Sequence, residues 1–124
     1  VITHCPYNRS PEAIGALSNI NTELLCEKKV HAVRAFGSAA MDMCSVAMGR
    51  ADLYFEVNIQ AWDMCAAAVV VREAGGVLKD VEGGAFDLMR RGMACGGTEA
   101  MVDIGVALAI KHNYRKAILP VEQH

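Results

Sequence analysis

Asp63 and Glu56 are the residues of this chain whose type and spacing could do chemistry. They stand seven positions apart in the stretch EVNIQAWDMCAAAVVVREAGG at 56–76. Asp63 follows Trp62 and opens onto the run 64–71, which has no charge and no hydrogen-bonding side chain beyond the weak thiol of Cys65. By position alone Asp63 reads as an N-terminal helix cap, its carboxylate accepting backbone N–H groups at the positive end of the helix dipole. The sharper reading is a ligand for a hard cation, because Mg²⁺ prefers oxygen and takes one or two carboxylates together with substrate phosphate and water. Glu56 ends a strand-like run at 50–56, and α/β folds place ligands at the carboxyl ends of strands. In isolation the commoner reading of such a residue is a solvated strand-end acid. A third candidate is Gly37-Ser38-Ala39, between a strand-like and a helix-like run, where free N–H groups at a helix start suit an anion or a hydroxyl.

The elements that must position these groups follow from periodicity and punctuation. A β-branched opening at 1–3 predicts a strand, which Pro6 stops. Ser10-Pro11-Glu12 predicts a helix start with Ser10 as cap and Pro11 in the first turn. The stripe Ile14, Leu17, Ile20, Leu24 and Leu25 carries that helix onward. A strand is expected at 30–36, ending at Gly37-Ser38, then a helix at 39–48 capped by Ser38 and closed by Gly49. The run 64–71 predicts a core helix buried on all its faces, with Trp62 wedging its start and Gly75-Gly76 closing it. A strand at 77–81, a turn at Glu82-Gly83-Gly84, a short buried strand at 93–97 and a helix opened by Thr98 complete the order. Arg90-Arg91 reads as solvated surface, and the tail 111–124, interrupted by Pro120, as a segment that frays. The alternation predicts an α/β layered sandwich, a mixed β-sheet covered by helices on both faces.

Composition narrows the classes. A net charge of −2 with a pI near 6.1 gives no basic footprint for nucleic acid. The longest apolar run falls far short of the roughly 20 residues that span a bilayer. The N-terminus has neither a basic region nor a continuous apolar core, so no signal peptide is expected and a cytoplasmic chain is. Five cysteines, none in C-x-x-C spacing, predict buried free thiols in a reducing compartment. An apolar fraction of 53% against 21% charged residues exceeds what one small domain needs, predicting a face that meets a second domain or an oligomer partner. The chain starts at Val1 without a methionine, which suggests coding sequence upstream.

The pattern of Trp62-Asp63, Ala66-Ala67-Ala68 and Glu73-Ala74-Gly75-Gly76, with Glu56 ahead, resembles the second signature of the inositol monophosphatase family. The resemblance runs from about residue 1 to about residue 110. It takes in Ser10-Pro11-Glu12, Gly37-Ser38-Ala39-Ala40, Ala51-Asp52, Gly83-Gly84 and Phe86-Asp87-Leu88-Met89, and is similar to the C-terminal portion of an animal-type member. It implies a Mg²⁺-dependent phosphatase of inositol monophosphates, typically a homodimer, with lithium sensitivity as a further expectation. Asp63 is then a metal ligand that also orients substrate. Glu56 receives ring hydroxyls, Gly37, Ser38 and Ala39 contact substrate, and Arg34 either fixes the Glu56 carboxylate or, equally, is a solvated or interface arginine. The family's first signature, Asp-Pro-x-Asp-Gly-Thr, and its upstream Gly-Glu-Glu are absent from the sequence. The chain therefore reads as the substrate-recognition half of a site whose N-terminal metal-binding half is missing, with no catalysis expected of the 124 residues alone. Two other readings stand beside this one: a related sugar- or nucleotide-phosphate phosphatase, and a truncated non-catalytic module for dimerisation or polyol binding.

Overall fold

The computed structural model describes residues 1–120. Its elements are β1 (Ile2–Thr3), α1 (Pro11–Cys26), β2 (Arg34–Ala35), α2 (Ala39–Ala47), β3 (Leu53–Val57), α3 (Ala61–Glu73), β4 (Val77–Lys79), β5 (Gly92–Gly96) and α4 (Glu99–Lys111), with 3₁₀ turns at Leu88–Arg90 and Tyr114–Ala117. One mixed sheet has the order β2-β1-β3-β5-β4. The strands β2, β1 and β3 run parallel, and β5 lies antiparallel between β3 and β4, pairing Leu53 with Gly96 and Val57 with Gly92.

Strand alternation makes two cores. Leu53, Phe55, Val57 and Ala94 pack with residues of α1 and α4. Tyr54, Met93 and Cys95 pack on the other face with Met43 and Val46 of α2 and with Met64, Ala67, Ala68 and Val71 of α3. Helices thus cover both faces, as expected for an α/β sandwich. The helix starts are capped where the sequence places them: Ser10, Ser38 and Thr98 accept from the backbone N–H groups of Ala13, Met41 and Met101. Gly75 closes α3 at φ +81°, a conformation that favours glycine. At Gly96 a Cβ would lie 2.9 Å from the Asp52 carbonyl, so only glycine lets β5 approach there.

Several expectations are corrected. The strand at 30–36 shrinks to Arg34–Ala35, exposed at the sheet edge, because its neighbour among the described residues, β1, offers two residues to pair with. The helix α3 is not buried all round. Its inner face follows the i, i+3, i+4, i+7 spacing of Met64, Ala67, Ala68 and Val71, while Val69 (58% exposed) and Val70 (44%) face outward. Trp62 is 76% exposed and wedges nothing. Ile14 and Leu25 lie off the buried stripe of α1, which is Ala13, Leu17, Ile20 and Leu24. The cysteines are all free, yet only Cys95 is fully buried, its thiol pushed up to about 12 by burial; Cys5, Cys26 and Cys65 are exposed.

Arg90-Arg91 is not merely solvated. Arg90 Nε lies 3.2 Å from the buried Asp80 Oδ2, and Arg91 donates to the Leu119 carbonyl at 2.6 Å. Arg115, from the tail, meets the same Asp80 carboxylate at 3.2 and 3.3 Å. Residues 111–119 are accordingly packed and bonded rather than frayed; 121–124, the rest of the expected fraying tail, lie outside the described residues.

Candidate active site

The strand β3 delivers Glu56 to the α2/α3 face of the sheet, next to last in the strand, with 5% of its surface exposed. That excludes the solvated strand-end acid. Period-two alternation places Tyr54 on the same face, and its hydroxyl donates to Glu56 Oε2. Arg34 does not hold this carboxylate. Its guanidinium is exposed and donates to the carbonyl of Val33 at 3.3 Å, because β2 lies at the edge with β1 between it and β3. Burial pushes the Glu56 carboxyl up to about 8, and the negative charges of Asp42 and then Asp63 push the same way.

Asp63 reaches the site from the first turn of α3. It is not the cap itself: Gln60 occupies that position, and its backbone N–H donates to Asp63 Oδ2 at 2.8 Å, so Asp63 closes the turn from the third helical residue. Among the described residues Oδ1 makes no hydrogen bond, which leaves one oxygen for a ligand. The Gly37-Ser38-Ala39 turn is the start of α2. Gly37 takes φ +84°, and Ser38 Oγ accepts the Met41 N–H at 3.4 Å, leaving the N–H groups of Ala39 and Ala40 without intrahelical partners.

These three sequence-predicted features come together around one cavity of about 620 Å³ lined by Glu56, Asp63, Gly37, Ser38 and Ala39. Further walls are residues that sequence reasoning did not assign to the site. His4, Cys5, Tyr7 and Arg9 line it from the loop after β1, and Trp62 and Ile59 from the approach to α3. His4 is 5% exposed, with Nε2 on the Tyr114 hydroxyl at 2.5 Å, and burial pulls its pKa down to about 4, so the ring is neutral at physiological pH. Asp42, in the first turn of α2, is 1% exposed with no hydrogen-bond partner on either oxygen among the described residues, and burial raises its pKa. Tyr54 was readable from the sequence, two residues before Glu56 on a strand; the placement of His4 was not, since its partner lies 110 residues away.

The electrostatics give a measurable signature. Glu56 binds a proton in the folded state up to about pH 8, whereas in an unfolded chain it releases it near 4.5. The folded state therefore holds the extra proton across this window, and the Glu56 contribution, full below 4.5, is lost as pH rises towards 8. His4 acts oppositely: with a folded pKa of about 4 against 6.5, its contribution is present above 6.5 and lost as pH falls towards 4. The two oppose each other between 4.5 and 6.5. Between 6.5 and 8 Glu56 acts without that opposition, with a slope of up to about 1.4 kcal/mol per pH unit. Chemical denaturation across pH is expected to show a fall in stability from 6.5 to 8 that Glu56→Gln removes. Parallel profiles for both proteins would refute the buried proton.

The chain matches the family model described as "Inositol monophosphatase family" over residues 1–112. Inositol monophosphatase 1 of Mus musculus is 47% identical over 91 residues, 73% of this chain and 32% of the relative. That of Xenopus laevis is 49% identical over 89 residues, 72% of this chain and 31% of the relative. The chain thus spans about a third of the length of these curated relatives. Among solved structures, the extragenic suppressor protein suhB of Bartonella henselae superposes with a TM-score of 0.73 at 35% identity, covering 86% of this chain and 40% of that one. The inositol monophosphatase of Anabaena shares the fold, with a TM-score of 0.74 at 24% identity, over 97% of this chain and 44% of that one.

Proposed function

Since the chain belongs to the inositol monophosphatase family, we propose that it carries the inositol-recognition half of a Mg²⁺-dependent phosphatase that hydrolyses inositol monophosphates to inositol and phosphate. The observation that supports this reading is the convergence of Glu56, Asp63 and the Gly37-Ser38-Ala39 turn on one cavity. Glu56 presents a carboxyl that both donates and accepts, which suits vicinal ring hydroxyls. The unpartnered amides at the start of α2 hold further ligand oxygens.

For Mg²⁺ the donor set fits in part. Asp63 Oδ1 is a hard oxygen free of other bonds, while Glu56 is committed to Tyr54, and no group of three or more His, Cys, Asp or Glu converges among the described residues. Asp63 would hold one ion, which when bound supplies Lewis-acid polarisation of the phosphoryl oxygens. The further carboxylates belong to the Asp-Pro-x-Asp-Gly-Thr type of segment that this sequence lacks, so the 124 residues alone are inactive in this reading. The protein acts as a homodimer in the cytoplasm; no helix among the described residues is long and apolar enough to cross a membrane.

The test is phosphate release from myo-inositol 1-phosphate with and without Mg²⁺, by this chain and by the complete protein that contains it. Release is expected from the complete protein and not from the chain. In the complete protein, Glu56→Gln is expected to change the ranking across a panel of inositol, sugar and nucleotide phosphates more than the maximal rate; an unchanged ranking would remove Glu56 from recognition. A nucleotide phosphate as the preferred substrate is the second reading. The exposed Trp62 ring on the cavity wall favours it, because an indole face stacks on a base.

A further inference from the structure

His4, Cys5, Tyr7 and Arg9 reach the cavity from one loop between β1 and α1. A surface loop with no ladder of its own holds a geometry only where other groups tie it. This loop is tied near both ends by one distant stretch of chain, the 3₁₀ turn Tyr114–Ala117. At its start the Tyr114 hydroxyl meets His4 Nε2, and both residues are buried. Towards its end Asn8 Nδ2 donates to the Ala117 carbonyl at 3.2 Å.

The same stretch also fastens the exit of β3. Asn58, two residues beyond Glu56 and at φ +68°, donates from Nδ2 to the Ala117 carbonyl at 2.5 Å and accepts the Leu119 N–H on Oδ1 at 2.5 Å. Tyr114 packs edge-on against Phe55, ring centroids 6.2 Å apart, in the strand that carries Glu56. Arg115 is in turn locked to Asp80. One segment therefore touches both the loop that walls the cavity and the strand that brings Glu56 to it. The loop also supplies Arg9, the single Lys or Arg among the residues that line the cavity.

We propose that the segment 114–119 is a positioning element of the cavity, Tyr114 and the Ala117 carbonyl fixing the loop 4–9 beside Glu56, and that this loop helps select among phosphorylated polyols. The selection rests on the functional reading above; the fixing of the loop does not. Asn8 and Tyr114 do not line the cavity, so their effect on a ligand passes through the loop.

The experiment, on the complete protein that contains this chain, compares the unsubstituted form with Tyr114→Phe and Asn8→Ala, which remove one tether each. Amide hydrogen exchange is read along the chain, and affinity is titrated with myo-inositol 1-phosphate and with myo-inositol. Each variant is expected to speed exchange at 4–9 and to weaken myo-inositol 1-phosphate roughly tenfold, the size of one lost neutral hydrogen bond, with α4 and β5 exchange unchanged. Myo-inositol, which lacks the anion that Arg9 would meet, is expected to weaken less. Unchanged exchange at 4–9 would overturn the proposal. So would faster exchange with affinity within twofold of the unsubstituted form, or acceleration spread evenly through the core, which marks general destabilisation. Failure of the unsubstituted complete protein to bind either compound would reject the functional reading, and ligand selection with it, before any variant is made. Asn8→Ala keeps the question open to measurement should Tyr114→Phe fail to fold.

Discussion

Asp63→Asn is expected to abolish phosphate release by the complete protein while leaving the fold intact. The substitution separates the two jobs of this side chain. An asparagine oxygen still accepts the Gln60 N–H that Asp63 Oδ2 takes at 2.8 Å, so the start of α3 survives. The lost negative charge near the helix N-terminus costs about 0.3–1 kcal/mol, a few degrees at most in melting temperature. The oxygen offered to a hard cation, by contrast, loses its charge, and a neutral amide is a poor ligand for Mg²⁺. Outer partners of metal ligands already cost about 10–100-fold when removed, so a direct ligand is expected to cost more than about a hundredfold. Steady-state kinetics with a melting curve on each protein make the check. Turnover within tenfold of the unsubstituted enzyme would show that Asp63 is only a helix-start residue.

The second large effect falls on stability. Asp80 is 1% exposed, and its carboxylate accepts the Glu82 N–H at 3.0 Å while facing both Arg90 and Arg115. Removing one partner of a buried ion pair costs about 3–5 kcal/mol. The arginines keep part of their hydration, with 46% and 24% of their side chains exposed, so Asp80→Ala is expected to cost less, about 2–3 kcal/mol. For a chain of this length that is a melting temperature lower by roughly 10 °C. Because Arg115 lies next to Tyr114, exchange at residues 114–119 should rise first. A loss below about 1 kcal/mol would mean that the cluster behaves as exposed pairs do.

Much of the fold was legible because its signals are local. Ser10, Ser38 and Thr98 cap helices wherever a short hydroxyl precedes a helix-forming run, and Gly75 closes one because it needs a left-handed φ. The alternation in β3 separates Leu53, Phe55 and Val57 from Tyr54 and Glu56. Those rules act over one to four residues; they set Glu56, Asp63 and the turn at Gly37 at element ends, while the resemblance to the inositol monophosphatase family singled them out as site candidates.

The misreadings share a different cause. An all-apolar run says that α3 has two apolar faces, but which face the sheet covers depends on where α2 packs, so Val69 and Trp62 end exposed where the run alone predicts burial. A strand-like composition at 30–36 needs a neighbour to pair with, and β1 offers only two residues. Arg90 reads as a solvent charge until the turn after β4 sets Asp80 between it and Arg115.

The sequence by itself therefore determined the order of elements and the caps Ser10, Ser38 and Thr98, since each depends on residues close along the chain. Only the tertiary structure decided the walls of the site. His4 and Tyr114, 110 positions apart, meet because the parallel placement of β1 beside β3 and the return of the chain after α4 bring them to one end of the sheet. No local periodicity encodes that meeting, nor the burial that keeps the His4 ring neutral.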